Sequence, residues 1–296
     1  MDHMTAKVSC FARAYHHKHN ETHIFDDNAA ERLLGEDYEQ ISKNMTEGLP
    51  FFFPDFEGTK EEGLRLIVDR QLSPSVLARS AYCENKLMDE KNQGCRQYLI
   101  FASGYDTFSL RNTDESFSVF ELDLPEMIAD KRERIEKQKI KSTAVSVPCN
   151  LAEESWKEQL LEAGYSQSQK AFGSLLGLCY YLRKEEFERL LMGVNEIMAE
   201  GSVICFDYPS ADESRETKTN QSLAQGAGEQ MKALYSEQEI KALLQKCGFK
   251  LKEHLKDHEM TELYFKEYNN GNPAHQMQAP MGVGYVFAEK IRRAHS

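Results

Sequence analysis

Two short stretches carry residue types suited to gripping a nucleoside. Ala102-Ser103-Gly104-Tyr105-Asp106-Thr107 closes an apolar, β-type run beginning at Tyr98, and a second run, Ser118–Leu122, leads into Asp123, nineteen positions after Gly104. Small residues after a first strand let backbone approach a ligand closely, and an acidic side chain about 20 residues further on is where a ribose diol is held, because a carboxylate accepts two hydroxyl protons at once. Asp123 has a second reading as the cap of a helix opening near Pro125. The loop does not spell G-x-G-x-x-G, and Tyr105-Asp106 is a poor start for the helix N-terminus that a pyrophosphate wants. An adenosine ligand without phosphates, such as S-adenosylmethionine, fits better than a dinucleotide.

The elements that must place these residues follow from hydrophobic rhythm. From Cys95 onward, short apolar runs (98–102, 118–122, 143–147, 173–181, 203–207) alternate with helical patterns at Pro125–Lys139, Trp156–Ala163 and Lys184–Ala199. Strands separated by helices predict βαβ units and a mostly parallel α/β sheet of the Rossmann-like kind, with helices on both faces. Ser236 and Glu239 have capping-box spacing for a helix stopping at Gly248. Runs 249–255 and 284–289, with no long helix between them, predict two strands pairing antiparallel at one edge. Residues 1–94 read as a helical cap or lid, with helices over 28–34, 59–71 and 74–91 and Ser73 as an N-cap before Pro74. Leu49–Pro54 is an aromatic segment too short for a helix that should pack over something. Residues 95–296 then form the core, with a polar insertion at about 209–235 expected to be a surface lid.

The combined residues resemble the leucine carboxyl methyltransferase family, which includes bacterial small-molecule O-methyltransferases of the tetracenomycin-carboxyl-methylating type. The likeness is carried by Gln97–Arg111, Phe120–Pro125 with Lys131, Ile24–Asp27 with Ala29, Ala78-Arg79, Asn150-Leu151, Tyr181-Leu182 and Tyr285–Lys290. It implies a seven-stranded class I methyltransferase fold with an N-terminal helical cap, and S-adenosylmethionine as cofactor. The positions it assigns to that cofactor are Arg13, Arg79, Ala102, Ser103, Gly104, Asp123, Leu124, Asn150, Leu151, Leu176 and Gly177. Arg79, and less securely placed Arg13, match residues at the methionine carboxylate; Asp123 matches the ribose ligand; Leu151 and residue 150 match the adenine contacts. Three positions depart from the family pattern: Ala102 replaces a glycine, Asn150 an aspartate, and Leu176 a carboxylate that faces the cofactor's α-ammonium. That ammonium would have to find a backbone carbonyl or water. Tyr180 and Tyr208 are assigned to the substrate pocket.

Methyl transfer from a sulfonium is an in-line displacement governed by alignment and exclusion of water. A carboxylate acceptor arrives ionised and needs no general base, so no catalytic residue is assigned. The expected reaction is O-methylation of a carboxylate on a small molecule or a peptide C-terminus. The rival classes are an inactive family member serving as a binding module and, on sheet topology alone, an NAD(P)-dependent oxidoreductase. A net charge of −12 lacks the positive field that nucleic-acid binding uses. No apolar run approaches membrane-spanning length and no signal-like segment follows Met1, so a cytoplasmic protein without membrane or nucleic-acid partners is expected. Seven cysteines without a C-x-x-C pair read as reduced thiols. His16-His17-Lys18-His19 with His23 has no Cys or carboxylate at firm ligand spacing, so no metal is expected. Oligomeric state is left open.

Overall fold

A computed structural model describes residues 3–211 and 232–291. Seven strands form one sheet in the order β3-β2-β1-β4-β5-β7-β6: β1 (Gln97–Phe101), β2 (Ser118–Asp123), β3 (Ala144–Pro148), β4 (Ala171–Leu175), β5 (Val203–Pro209), β6 (Phe249–Leu255) and β7 (Val283–Lys290). The first five are parallel, and β7 lies antiparallel between β5 and β6. β1, β4 and β5 are buried along their whole length, which is why they read as unbroken apolar runs. The chain leaves β1 toward β2 and β3, then crosses back to β4 and β5. The switch point, where an open α/β sheet binds ligands, is therefore beyond the C-terminal ends of β1 and β4.

The helical layer before the sheet comprises α1 (Met4–His19), α2 (Ala30–Leu34), α3 (Glu36–Glu47), α4 (Leu49–Phe52), α5 (Lys60–Ile67) and α6 (Ser73–Asn92). Helix α6 packs Leu77, Tyr82 and Leu87 onto one face of the sheet, against Tyr98, Phe172 and Cys205. After β1 comes the short α7 (Phe108–Arg111), then α8 (Pro125–Lys137), α9 (Trp156–Glu162) and α10 (Lys184–Ile197). Trp156, Leu190 and Val194 of α9 and α10 cover the opposite face with Phe101, Ile204 and Phe206. A third apolar cluster joins α1, α2 and α3 to Tyr105 and Met127, so the N-terminal helices rest on the rim of the sheet.

Several elements differ from their sequence reading. Ser73 does not cap a new helix. It has helical angles, its Oγ is buried without a partner, and a π-helical turn at Val68–Leu72 joins α5 to α6. Pro74 cannot donate to the carbonyl four residues back and its ring crowds that turn, so an opened turn lets the helix continue. Leu49–Phe52 is one helical turn; Leu49 packs against Gly63 of α5, while Phe51 is 82% exposed. β4 ends at Leu175 because Gly177 takes a left-handed φ of 61° and turns the chain into a 3-10 turn at Cys179–Tyr181. Asp257–Gly271, between β6 and β7, is helical in three short segments. α1 escapes pattern reading because Cys10–His16 are all buried, leaving no polar stripe to mark a periodicity. The insertion expected at 209–235 falls mostly on residues 212–231, outside the described residues; its described ends are pinned by a bridge between Ser210 and Tyr235.

Candidate active site

The turn after β1 is built from two left-handed residues, Ala102 at φ 53° and Gly104 at φ 47°. Asp123, at the end of the adjacent β2, closes this turn: its Oδ2 accepts the Gly104 N–H at 2.7 Å and its Oδ1 accepts the Leu124 N–H at 2.7 Å. Asp123 is thus both a loop clamp and a helix-entry residue. Burial raises its pKa, against the pull of those two N–H groups. Beneath it, Lys131 of α8 pairs with Glu121 at 2.7 Å, and Ser109 donates to the same carboxylate at 2.6 Å. This buried, saturated ion pair fixes α8 on β2. Ser103, between the two left-handed residues, has its Oγ buried with no partner. A hydroxyl left so is the kind of group a ligand satisfies.

Next to this turn, a narrow crevice opens between α6, α7 and the end of β4, lined among others by Arg13, Glu84, Asp106, Thr107, Arg111 and Leu176. Its charges alternate. Arg13 Nε donates to Asp27 Oδ2 at 2.8 Å; Asp27 Oδ1 is 3.5 Å from Arg111 Nε; and Arg111 grips both oxygens of Glu84, one of them at 3.0 Å. Thr107 also donates to Asp27, at 2.7 Å. Burial opposes ionisation of Asp27, but Arg13, Arg111 and the two hydrogen bonds outweigh it and hold its pKa below the usual carboxylate value. At Glu84 burial wins over Arg111, and the carboxyl is pushed up to about 6.

Arg13 therefore sits in the crevice but is already engaged, by Asp27 and by the Tyr105 carbonyl at 2.6 Å. Arg79 lies beyond the end of β4, where a Cβ added to Gly177 would come within 2.8 Å of its Nη1. Its guanidinium is 3.8 Å from Asp207, whose other contacts are the Gly177 N–H at 2.7 Å and the Tyr180 hydroxyl at 2.9 Å. Leu176 lines the crevice and packs against the α6 face of the sheet. Asn150 turns its side chain inward on its own loop: Oδ1 accepts the Ala152 N–H and Nδ2 donates to Glu153. Leu151, next to it, packs on the α9–α10 cluster. Tyr180 and Tyr208 are both buried, and the Tyr208 hydroxyl is 2.8 Å from His254 Nε2.

Position 176 carries no carboxylate, and the crevice it lines holds two that sequence reasoning did not assign. Glu84 and Asp106 line the same crevice as Leu176. Asp106 stood in the quoted loop motif, whereas Glu84 lies five residues after Arg79 on α6, and only folding shows that it meets Arg111 in the crevice. A zwitterionic amino-acid group would meet both signs of charge here, and an adenosine would meet the Asp123 turn. The residues present fit S-adenosylmethionine.

Comparison with known proteins agrees. Residues 6–195 match the leucine carboxyl methyltransferase family. YktD of Bacillus subtilis (strain 168), named as an S-adenosyl-L-methionine-dependent methyltransferase, is 33% identical over 309 residues, covering 97% of each chain. A similarly named protein of Mycobacteroides abscessus is 30% identical over 162 residues, 53% of each chain. Among solved structures, a DUF574 family protein from Streptomyces avermitilis MA-4680 superposes with a TM-score of 0.56 at 13% identity, covering 83% of this chain and 96% of that one. A methyltransferase from Thermobifida fusca YX gives 0.52 at 13% identity, covering 97% and 94%. These two likenesses speak for the Rossmann-like fold; membership rests on the sequence matches. The chain belongs to the leucine carboxyl methyltransferase family and is an S-adenosylmethionine-dependent methyltransferase.

Proposed function

We propose that the protein methylates the oxygen of a carboxylate, on a small molecule or a peptide C-terminus, with the rim of β1, β2 and β4 as its site. The supporting observation is that the acidic side chains there are already held: Asp123 by two backbone N–H groups, Asp27 and Glu84 by arginines, and Asp207 by Gly177 and Tyr180. Such a site orients and neutralises rather than abstracts protons, which suits a nucleophile that arrives ionised. The family's description, with its carboxyl acceptor, points the same way.

In this reading Asp123 holds the ribose diol, the Ala102–Gly104 turn lets backbone come close, and Ser103 offers its unpartnered hydroxyl. Asn150 and Leu151 border the adenine, and Leu124 and Gly177 contribute backbone. Arg79 holds the methionine carboxylate, while Glu84 and Asp106 face the ammonium in place of a residue at 176. Arg13 serves mainly to lock α1 across the turn. Bound S-adenosylmethionine supplies an electrophilic methyl group. The protein's part is to align an acceptor with it and to exclude water, with residues 1–94 acting as the cap. Tyr180 and Tyr208 border the acceptor side only through their ring edges, since their hydroxyls are engaged.

Incubation with methyl-labelled S-adenosylmethionine and panels of carboxylic acids and phenols tests the acceptor. A carboxyl ester releases its label as volatile methanol in mild alkali; label that stays on the product in alkali would overturn the carboxylate reading. Asp123→Ala should weaken cofactor binding by about 10- to 100-fold, the scale of one charged hydrogen-bonding group, as read by calorimetry.

A further inference from the structure

A second site lies on the outer edge of the cap, at the C-terminal end of α1. Asn20 takes extended angles after His19, and the chain turns back so that His23 and Asp26 come alongside the helix's last turn. His17 and His23 stack with ring centroids 5.3 Å apart. His17 Nδ1 is 2.5 Å, and His23 Nδ1 3.8 Å, from the same oxygen of Asp26. All three potential ligand atoms lie within 4.8 Å of one another.

Linear spacing hid this group, because the carboxylate is supplied by the reversal of the chain. The decisive detail is the other nitrogen of His23, whose Nε2 is 3.0 Å from the His17 carbonyl oxygen. A carbonyl only accepts, so Nε2 carries the hydrogen, and in the neutral ring Nδ1 is left with its lone pair facing a carboxylate oxygen. That lone pair and the carboxylate can share a cation, either a proton or a metal ion. Donation of the second ring N–H to a backbone carbonyl is also how metal-bound histidines are commonly oriented. The neighbouring histidines are otherwise occupied: His16 Nε2 accepts the Ile24 N–H at 2.9 Å, and His19 stacks on Tyr15.

We propose that His17, His23 and Asp26 form a binding site for a zinc-like divalent transition metal, with water completing the coordination. Two imidazoles and one carboxylate suit zinc and disfavour calcium and magnesium, which prefer all-oxygen shells. Bond lengths near 2.1 Å in a tetrahedron put ligand atoms about 3.4 Å apart. The His23–Asp26 pair is already close to that separation; at His17 the Nδ1 hydrogen that now reaches Asp26 leaves to water as the metal binds, and the partly exposed ring opens from Asp26 by roughly 1 Å. Asp26 adjoins Asp27, which holds Arg13 and Arg111. The metal ties the last turn of α1 to the anchor of the cap.

The test is titration of zinc chloride into full-length protein freed of metal by chelation and dialysis. One ion per chain should bind at micromolar or tighter affinity, and zinc at a hundredfold excess over its Kd should raise the melting temperature by about 5 °C or more. His23→Gln and Asp26→Asn should each weaken binding at least tenfold, whereas His258→Gln, at an exposed histidine elsewhere, should leave it unchanged. Binding that persists in the His23→Gln/Asp26→Asn double variant would mean adventitious capture by surface histidines and overturn the site, as would the absence of binding. In case a variant misfolds, cobalt in the unmodified protein gives an independent answer. An intense four-coordinate visible spectrum is expected, and a weak octahedral one refutes the proposal.

Discussion

Phe206 in β5 and Asp27 in the loop before α2 are both wholly inaccessible to solvent, yet they are held by different physics. Phe206 sits edge-on against Phe187 of α10, with ring centroids 5.4 Å apart, inside a cluster of hydrocarbon. Asp27 sits in a row of alternating charges, Arg13, Asp27, Arg111 and Glu84, that runs from α1 through α7 to α6. Hydrocarbon is forgiving of small shifts and indifferent to acid. A buried charge row tolerates neither a missing member nor a changed protonation state, because each charge left unpaired bears its own desolvation cost. The sheet is therefore built as a constant scaffold, and the seam beneath the N-terminal helices as the part that conditions can alter. The candidate site lies on that seam.

The largest expected effect separates the two regions directly. Asp27→Asn removes the one carboxylate of Arg13, which keeps only carbonyl partners, and one of the two carboxylates of Arg111, and should cost about 3–5 kcal/mol. Phe206→Ala should cost a similar 3–5 kcal/mol by leaving a cavity. The single tryptophan, Trp156, lies in the sheet cluster and distinguishes them. In the Asp27 variant, proteolytic cleavage before residue 60 should rise in native buffer while Trp156 emission stays unshifted. In the Phe206 variant both signals should move together during urea unfolding. An Asp27→Asn protein within about 1 kcal/mol of wild type would show that the charge row does not hold the helices down.

A smaller effect tests the far end of the row. Glu84 has its pKa pushed up to about 6 by burial, from 4.5. The folded state thus binds the proton more tightly than the unfolded chain, so Glu84's contribution to stability is full below about pH 4.5 and declines as pH rises through 6. A shift of that size corresponds to about 2 kcal/mol. The difference in stability between wild type and Glu84→Gln should change by about that amount between pH 4.5 and 7, in favour of the variant at the higher pH. A pH-independent difference would mean that Arg111 keeps Glu84 at an ordinary pKa.

How much of this was legible in the sequence divides along the same line. β1, β2 and β5 are apolar runs closed by small or acidic residues, and burial on a regular period leaves a mark in the chain; the antiparallel edge pair β6–β7 was expected for want of a helix between them, yet Asp257–Gly271 there is helical. The placing of Asp123 beside the β1 turn could be read because its distance from Gly104 reflects one βαβ turn. The seam could not. Glu84, Asp27 and Arg111 are separated by tens of residues, and nothing local says that their charges meet. The Ser73-Pro74 signal was misread for a related reason: a good cap sequence is overruled when the preceding helix packs well enough to continue through a π turn.

The smallest effect concerns the rim of the sheet, where a strand meets the seam. Ala102 and Lys139 are the two non-glycine residues with positive φ among the described residues, at 53° and 51°. For an L-residue the left-handed region costs about 1–2 kcal/mol, because Cβ crowds the following carbonyl oxygen, and glycine returns part of that gain as lost chain entropy. Ala102→Gly and Lys139→Gly should each stabilise the protein by roughly 1 kcal/mol or less, read from urea midpoints. Lys139 lies in a turn just past α8, so its gain reports backbone strain alone. Ala102 is followed by Ser103, whose N–H bonds the Leu122 carbonyl at 3.1 Å, and by the Gly104 N–H held on Asp123. An equal gain at both positions would mean that the β1 turn is merely tolerated. A smaller gain at 102 would mean that β2 and Asp123 enforce the turn whichever residue occupies it, and that the rim belongs mechanically to the scaffold rather than to the seam.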